Sequence, residues 1–161
     1  NNSKEGNYRV LILGDILKKT TTEMLNVIYN VIPDYKKYEF KFKAHPAQQI
    51  KIMKKVSSIK TIDKPLANIL NSTDIVICPA SSGAAVEAYY KNLKTIIYVS
   101  NGELNTSPLK NFEKVNFFTN EDELRLSLNR KNDVINENQE IFLIDENLPK
   151  WKEFLNSEFS Q

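Results

Sequence analysis

Asp63 to Ser100, DKPLANILNSTDIVICPASSGAAVEAYYKNLKTIIYVS, reads as a short helix, a buried strand, a loop of small residues, a second helix and another buried strand. The strand DIVICPA runs directly into Ser81, Ser82 and Gly83. Their small side chains let a ligand approach the N–H groups that a helix start leaves without partners, which is the arrangement of an anion cradle. Glu87 follows Gly83 by one helical turn on the same face, and helical side chains lean toward the N-terminus. A carboxylate beside a bound phosphate is repelled by it, so Glu87 is better suited to accept hydrogen bonds from a neutral diol, such as the ribose of a nucleotide.

Outward from this stretch, strand-like runs alternate with helical patterns. That alternation predicts an α/β fold, a Rossmann-like three-layer α/β/α domain with a mainly parallel sheet. Tyr8 to Asp15, YRVLILGD, is the first strand, and a helix is expected from about Thr21, with Thr20 and Glu23 spaced as a capping box and Met24, Val27, Ile28 and Val31 on its apolar face. Glu39 to Pro46, EFKFKAHP, alternates inward Phe40 and Phe42 with outward Lys41 and Lys43 and delivers His45 at its end. Further helices are expected over Gln48 to Lys55, around Leu66, Ile69 and Leu70, from Ser82 to about Lys91, and after Asn120, which is a cap candidate. Strands are expected over Ser57 to Ile62, Asp74 to Pro79, Lys94 to Val99 and Val115 to Thr119. The Asn-rich stretch Lys131 to Glu140 reads as a loop, and residues 148–159 as a closing helix whose Trp151, Phe154, Leu155 and Phe159 stripe packs on its own domain. The expected organisation is a polar lead-in over residues 1–7 and one domain over 8–161.

Composition narrows the function classes. The net charge is +2 and lysines are scattered among acids, so no basic stripe suggests nucleic acid. No apolar run approaches the ~20 residues of a membrane span. Cys78, the only cysteine, sits in an apolar strand and is read as core, in keeping with a reducing, cytoplasmic setting. A single histidine argues against a histidine-bridged metal centre, and no metal or cofactor is expected. The chain opens on Asn, not Met, as a piece of a longer protein would.

In parallel sheets ligands bind beyond the carboxyl ends of the strands, near the point where strand order reverses. Gly14 and Asp15, His45, the Ser81, Ser82 and Gly83 loop, and the loop from Ser100 to Ser107 all fall at such ends. A Ser-His-Asp triad can be drawn from Ser81, His45 and Asp74 or Asp15, but no G-x-S-x-G elbow is present, so hydrolysis is disfavoured. G-x-G-x-x-G and Walker loops are absent as well.

The segments KAHP, TDIVICPASSGAAVEA and KNLKTIIYVS together resemble the C-terminal, donor-binding domain of GT-B glycosyltransferases, and more narrowly the bacterial enzymes that build capsules, O-antigens, polysialic acid or teichoic-acid-like polymers. The resemblance covers roughly Tyr8 to Leu128. It implies that His45, Ser81 and Ser82 contact donor phosphates, that Glu87 takes the ribose, and that His45 with the amides of Ser82 and Gly83 steadies the departing phosphate as the catalytic contribution of this lobe. Gly14, Asp15, Gly83 and Ser107 complete the expected nucleotide-sugar site. The donor is CMP-, UDP- or CDP-linked, and the acceptor is a glycan or lipid-linked chain. An N-terminal acceptor-binding lobe is expected elsewhere in the parent, which would work in the cytoplasm or at the inner face of the membrane; the lobe alone is expected to be inactive. Asn92, Leu93 and Lys94 stand where many relatives have Gly-x-Pro, and Asn tolerates the left-handed turn that the resemblance implies there. The alternatives are a sugar-nucleotide 2-epimerase-like domain, from which Ala88 after Glu87 departs, or a non-catalytic nucleotide-sugar-binding or assembly module.

Overall fold

The structure, a computed structural model, describes residues 7–48, 58–130 and 148–158. The apolar runs form strands β1 (Tyr8–Leu13), β2 (Tyr38–Lys43), β3 (Ile59–Thr61), β4 (Ile75–Pro79), β5 (Lys94–Tyr98) and β6 (Asn116–Phe118). They make one six-stranded sheet in the order β3-β2-β1-β4-β5-β6, with every pairing parallel. Helices α1 (Lys18–Val31), α2 (Leu66–Leu70), α3 (Ala84–Tyr90), α4 (Glu121–Asn129) and α5 (Pro149–Glu158) connect or follow them. The expected Rossmann-like architecture is thus present. The chain builds outward from β1 in one direction as far as β3, then returns to β1's other side with β4, so strand order reverses between β1 and β4.

Side-chain alternation divides the core into two layers. On one face Val10, Ile12, Phe40, Phe42, Ile75, Ile77, Ile96 and Phe118 pack under α1 and α4; on the other Leu11, Leu13, Val76, Cys78 and Ile97 meet α2 and α3. β4 is buried along its whole length, as a central parallel strand covered on both faces requires. Cys78 belongs to this core, and burial pushes its thiol up to about 12, which makes it inert at neutral pH. Ala85 and Ala88 lie fully buried on α3, where small side chains bring the helix close to the sheet.

The amino-terminal edge is fastened by charge. Arg9 grips Asp74 in a bidentate pair, Nε to Oδ2 and Nη2 to Oδ1, both at 2.9 Å. The Arg9 N–H also donates to Asp74 Oδ2, and the Asp74 N–H donates back to Arg9 O. The neighbouring rows of β1 and β4 are therefore set in register by side chain and backbone together. At the start of β5, Lys94 Nζ donates to the carbonyls of Leu128 and Arg130, closing the C-terminus of α4.

Several boundaries depart from the sequence reading. α1 begins at Lys18, not near Thr21, and its N-cap position is Leu17 with no side-chain cap. The Thr20 and Glu23 capping box does not form because Thr20 is already inside the helix and Glu23 pairs with Lys19 at 3.8 Å. Asn120 does cap α4, accepting the Glu123 N–H at 3.0 Å while Glu123 reaches back to the Thr119 N–H. The closing helix α5 forms, but its stripe does not sink into the core: Trp151 is 62% exposed, and Phe154 and Leu155 are about half exposed. The expected helix over Gln48 to Lys55, the loop over Lys131 to Glu140, and Phe159 lie essentially outside the described residues.

Asn92 links α3 to β5 with φ of 55°, a conformation that costs a β-branched residue more than it costs Asn. Asn92→Gly is expected to leave stability unchanged or slightly raised, and Asn92→Val to lower it by about 1–2 kcal/mol. Urea denaturation of the two variants beside the parent checks both signs.

Candidate functional site

At the carboxyl end of β1 the chain has no room for a side chain. The Gly14 N–H donates to Lys43 O at 2.9 Å, and a Cβ on Gly14 would sit 3.3 Å from the His45 nitrogen and from the Phe42 ring. Glycine here lets the end of β1 lie directly against the end of β2. Asp15 follows, only 6% exposed. Its N–H donates to Thr21 Oγ1 at 2.7 Å, its Oδ1 accepts the Leu17 N–H at 3.2 Å, and its Oδ2 accepts the Ser81 hydroxyl at 2.8 Å. One carboxylate thus shapes the turn into α1 and ties that turn to the loop after β4. It spans the strand-order reversal, where open parallel sheets hold their ligands.

His45 enters from β2 and is half-buried. Its Nδ1 accepts the Ala47 N–H at 3.1 Å, so in the neutral ring the proton resides on Nε2, which is left as a donor. The loop is held to its neighbour by Gln48, whose N–H donates to His45 O and whose Nε2 donates to Ile16 O. Asp15 and Ser81 are thus joined by a hydrogen bond, and the His45 backbone lies against Gly14 beside them.

The loop into α3 differs in detail from expectation. The Ser82 N–H donates to Pro79 O at 3.0 Å and is not available to a ligand. Turn formation consumes it: the chain must reverse within the residues between β4 and α3, and the reversal needs that bond. The N–H groups of Gly83 and Ala84 have no acceptor among the described residues, while Ala85 and Val86 already donate to Ser82 O and Gly83 O. Gly83 is exposed, has ordinary right-handed backbone angles, and a Cβ on it would meet nothing within 4 Å. Glu87 is exposed one turn further on, its carboxylate engaged by no described residue.

Ser81 donates its single hydroxyl proton to Asp15, which leaves it able only to accept. Ser107 is 1% exposed and likewise committed, its Oγ accepting the Leu109 N–H while its own N–H donates to Asn105 Oδ1. It braces the loop after β5 from inside. In the same loop Ser100 is buried, its hydroxyl beside that of Tyr98. The triad reading fails on geometry: Asp74 is held by Arg9 at the opposite edge, and Ser81 is bonded to Asp15, not to His45. Among the described residues no group of three or more His, Cys, Asp or Glu is placed to hold a metal ion, and no helix is long and apolar enough to cross a membrane.

No family model, curated protein or solved structure matches the chain, so the functional reading rests on this geometry. Asp15→Ala removes two charge-assisted bonds and leaves the Leu17 N–H without its acceptor, and is expected to cost about 2–4 kcal/mol in a urea denaturation series. Ser81→Ala removes only one of them and should cost about half as much. Gly14→Ala should also destabilise, since the backbone of His45 cannot yield as a flexible side chain can.

Proposed function

We propose that this chain is the donor-binding domain of a glycosyltransferase that builds a surface polysaccharide, taking a CMP-, UDP- or CDP-linked sugar into the crevice between β1 and β4. The observation that supports this reading most is the Asp15–Ser81 hydrogen bond across the strand-order reversal, with His45 alongside and Gly83, Ala84 and Glu87 following directly. Those groups suit a nucleotide diphosphate or monophosphate ester. Donors come from the Gly83 and Ala84 amides, the Ser82 hydroxyl and His45 Nε2; acceptors for ribose or sugar hydroxyls come from Glu87 and Ser81.

In this reading the residues divide the work by chemistry. As the glycosidic bond breaks, negative charge grows on the leaving phosphate, and fixed donors aimed there stabilise it more than they stabilise the ground state. His45 and the Gly83 amide supply that stabilisation. Asp15 does not touch the phosphate, since two anions in contact would repel; it is a positioning residue that fixes the loop carrying the amides. The acceptor and the base that activates it belong to a second lobe of the parent protein, because transfer needs both substrates held in near-attack geometry. The parent works at the cytoplasmic face of the membrane, where a lipid-linked acceptor is met.

Titration with UDP, CMP and CDP, followed by amide NMR shifts, tests the site. Shifts are expected at Gly14, His45 and Ser81 to Glu87, with weak affinity because half a cleft covers half a ligand. Glu87→Gln is expected to weaken a ribonucleotide by roughly tenfold or more, from the ~1.5–3 kcal/mol of a hydrogen bond to a charged group, and to leave the matching nucleotide without that hydroxyl little changed. Shifts confined to other regions for all three nucleotides would overturn the proposal.

A further inference from the structure

We propose that the amino terminus of α1 is an anion subsite on the other flank of the crevice, and that it takes the second phosphate of a diphosphate-linked donor. The inference rests on the donor-binding reading above and sharpens it: a UDP- or CDP-linked sugar carries that second phosphate, and a CMP-linked sugar does not. The first N–H groups of a helix have no partner inside it and need one from outside. In this 14-residue helix no described residue supplies it. Leu17 at the N-cap offers no side-chain acceptor, and no acidic residue occupies the first turn. Asp15 Oδ1 takes the Leu17 N–H, and helical bonding resumes where the Thr21 N–H donates to Leu17 O. Between them the N–H groups of Lys18, Lys19 and Thr20 have no acceptor among the described residues.

A side chain points to the same ligand independently. Thr20 is only 8% exposed, and its hydroxyl has no hydrogen-bond partner among the described residues. The two threonines after it are both engaged: Thr21 Oγ1 accepts the Asp15 N–H, and Thr22 Oγ1 donates to Lys18 O. The carbonyl four residues before Thr20, Ile16 O, receives Gln48 Nε2 instead. Helical side chains lean toward the N-terminus, which sets the Thr20 hydroxyl over the same turn as the three amides. That turn borders the crevice. Glu23 follows Thr20 by three residues on the same flank of α1, and it lies near enough to the end of β5 that its carboxylate, after burial, helps to raise the Tyr98 phenol. Toward β1, Asp15 holds Leu17 with one carboxylate oxygen and Ser81 with the other, so the turn into α1 and the loop into α3 lie a single carboxylate apart.

The charges suit an anion as well. Cations at the positive end of a helix cost stability, yet Lys18 and Lys19 both stand there, exposed. Lys19 is 3.8 Å from Glu23, while Lys18 makes no ion pair among the described residues. A phosphate at this turn meets three N–H groups, a hydroxyl and an ammonium group at once, which offsets that cost. Asp15 does not oppose it by contact, because its two oxygens are turned to Leu17 and Ser81 and the two phosphates lie to either side.

UDP and UMP, each titrated into the whole chain and followed by amide NMR, test the subsite. UDP should shift Lys18, Lys19 and Thr20 as well as Gly83 and Ala84, UMP only the latter pair, and UDP should bind at least about tenfold more tightly. Thr20→Val keeps the side-chain shape and loses no hydrogen bond within the protein, so its stability in urea should be unchanged or raised. The same variant should lower UDP affinity about fivefold and leave UMP affinity as it was, while Thr20→Ser keeps UDP affinity near the parent's. Shifts at Gly83 and Ala84 with none at Lys18 to Thr20, equal binding of UDP and UMP, or a Thr20→Val variant that weakens both nucleotides alike would each overturn the α1 subsite and leave the donor crevice standing. UDP shifts at Lys18 to Thr20 with none at Gly83 and Ala84 would keep the subsite and overturn the crevice reading. No shifts with either nucleotide would overturn both.

Discussion

The pairing of β1 with β4 is the constraint on which the rest of this structure depends. The sheet runs outward from β1 through β2 to β3, and β4 must then return past them to find β1's free edge. Hydrophobic burial favours that return without specifying its register, because a parallel strand buried on both faces has apolar residues at every position. Polar contacts specify it. At one end Arg9 and Asp74 exchange side-chain and backbone hydrogen bonds; at the other Asp15 receives Ser81. A slip by one residue would break both.

The same two fastenings explain why chemistry collects at one edge. Asp74 and Asp15 are both aspartates at strand ends, yet Asp74 is saturated by a guanidinium and closes its edge. Asp15 is satisfied by a backbone N–H and a serine hydroxyl and pairs with no cation among the described residues. The amides of Gly83 and Ala84, with no acceptor among the described residues, follow the Ser81 that this buried carboxylate fixes. Such a site is polarised: donors on the β4 side, an acceptor behind them, and the His45 Nε2 proton to one flank. A ligand with an anionic group next to hydroxyl groups matches that pattern better than a simple anion does.

The strands and most helices were legible in the sequence because apolar periodicity decides them, and Asn120 was legible as a cap because its hydrogen bond is local. The start of α1 was misread for a physical reason. Thr20 and Glu23 have the spacing of a capping box, but Thr21 is recruited by the Asp15 N–H, and the helix begins earlier around that bond. Gly14, Asp15, His45 and Ser81 could be named from strand ends alone, whereas the bond between Asp15 and Ser81 joins residues far apart in sequence and appears only in the fold. The loss of the Ser82 amide to Pro79 was equally invisible, since it depends on the path of a loop. The exposed Trp151 stripe shows the limit of periodicity, which predicts that a helix has an apolar face but not what covers it.

Amide hydrogen exchange at single-residue resolution, with and without saturating UDP, CMP or CDP, addresses the central claim that the β1–β4 crevice holds an anionic ligand on the first free amides before α3. The account predicts that a bound nucleotide slows exchange at Gly83 and Ala84, which have no acceptor among the described residues, and leaves Ser82 unchanged because Pro79 already protects it. Nucleotide binding that leaves Gly83 and Ala84 exchanging at their unliganded rates would contradict it.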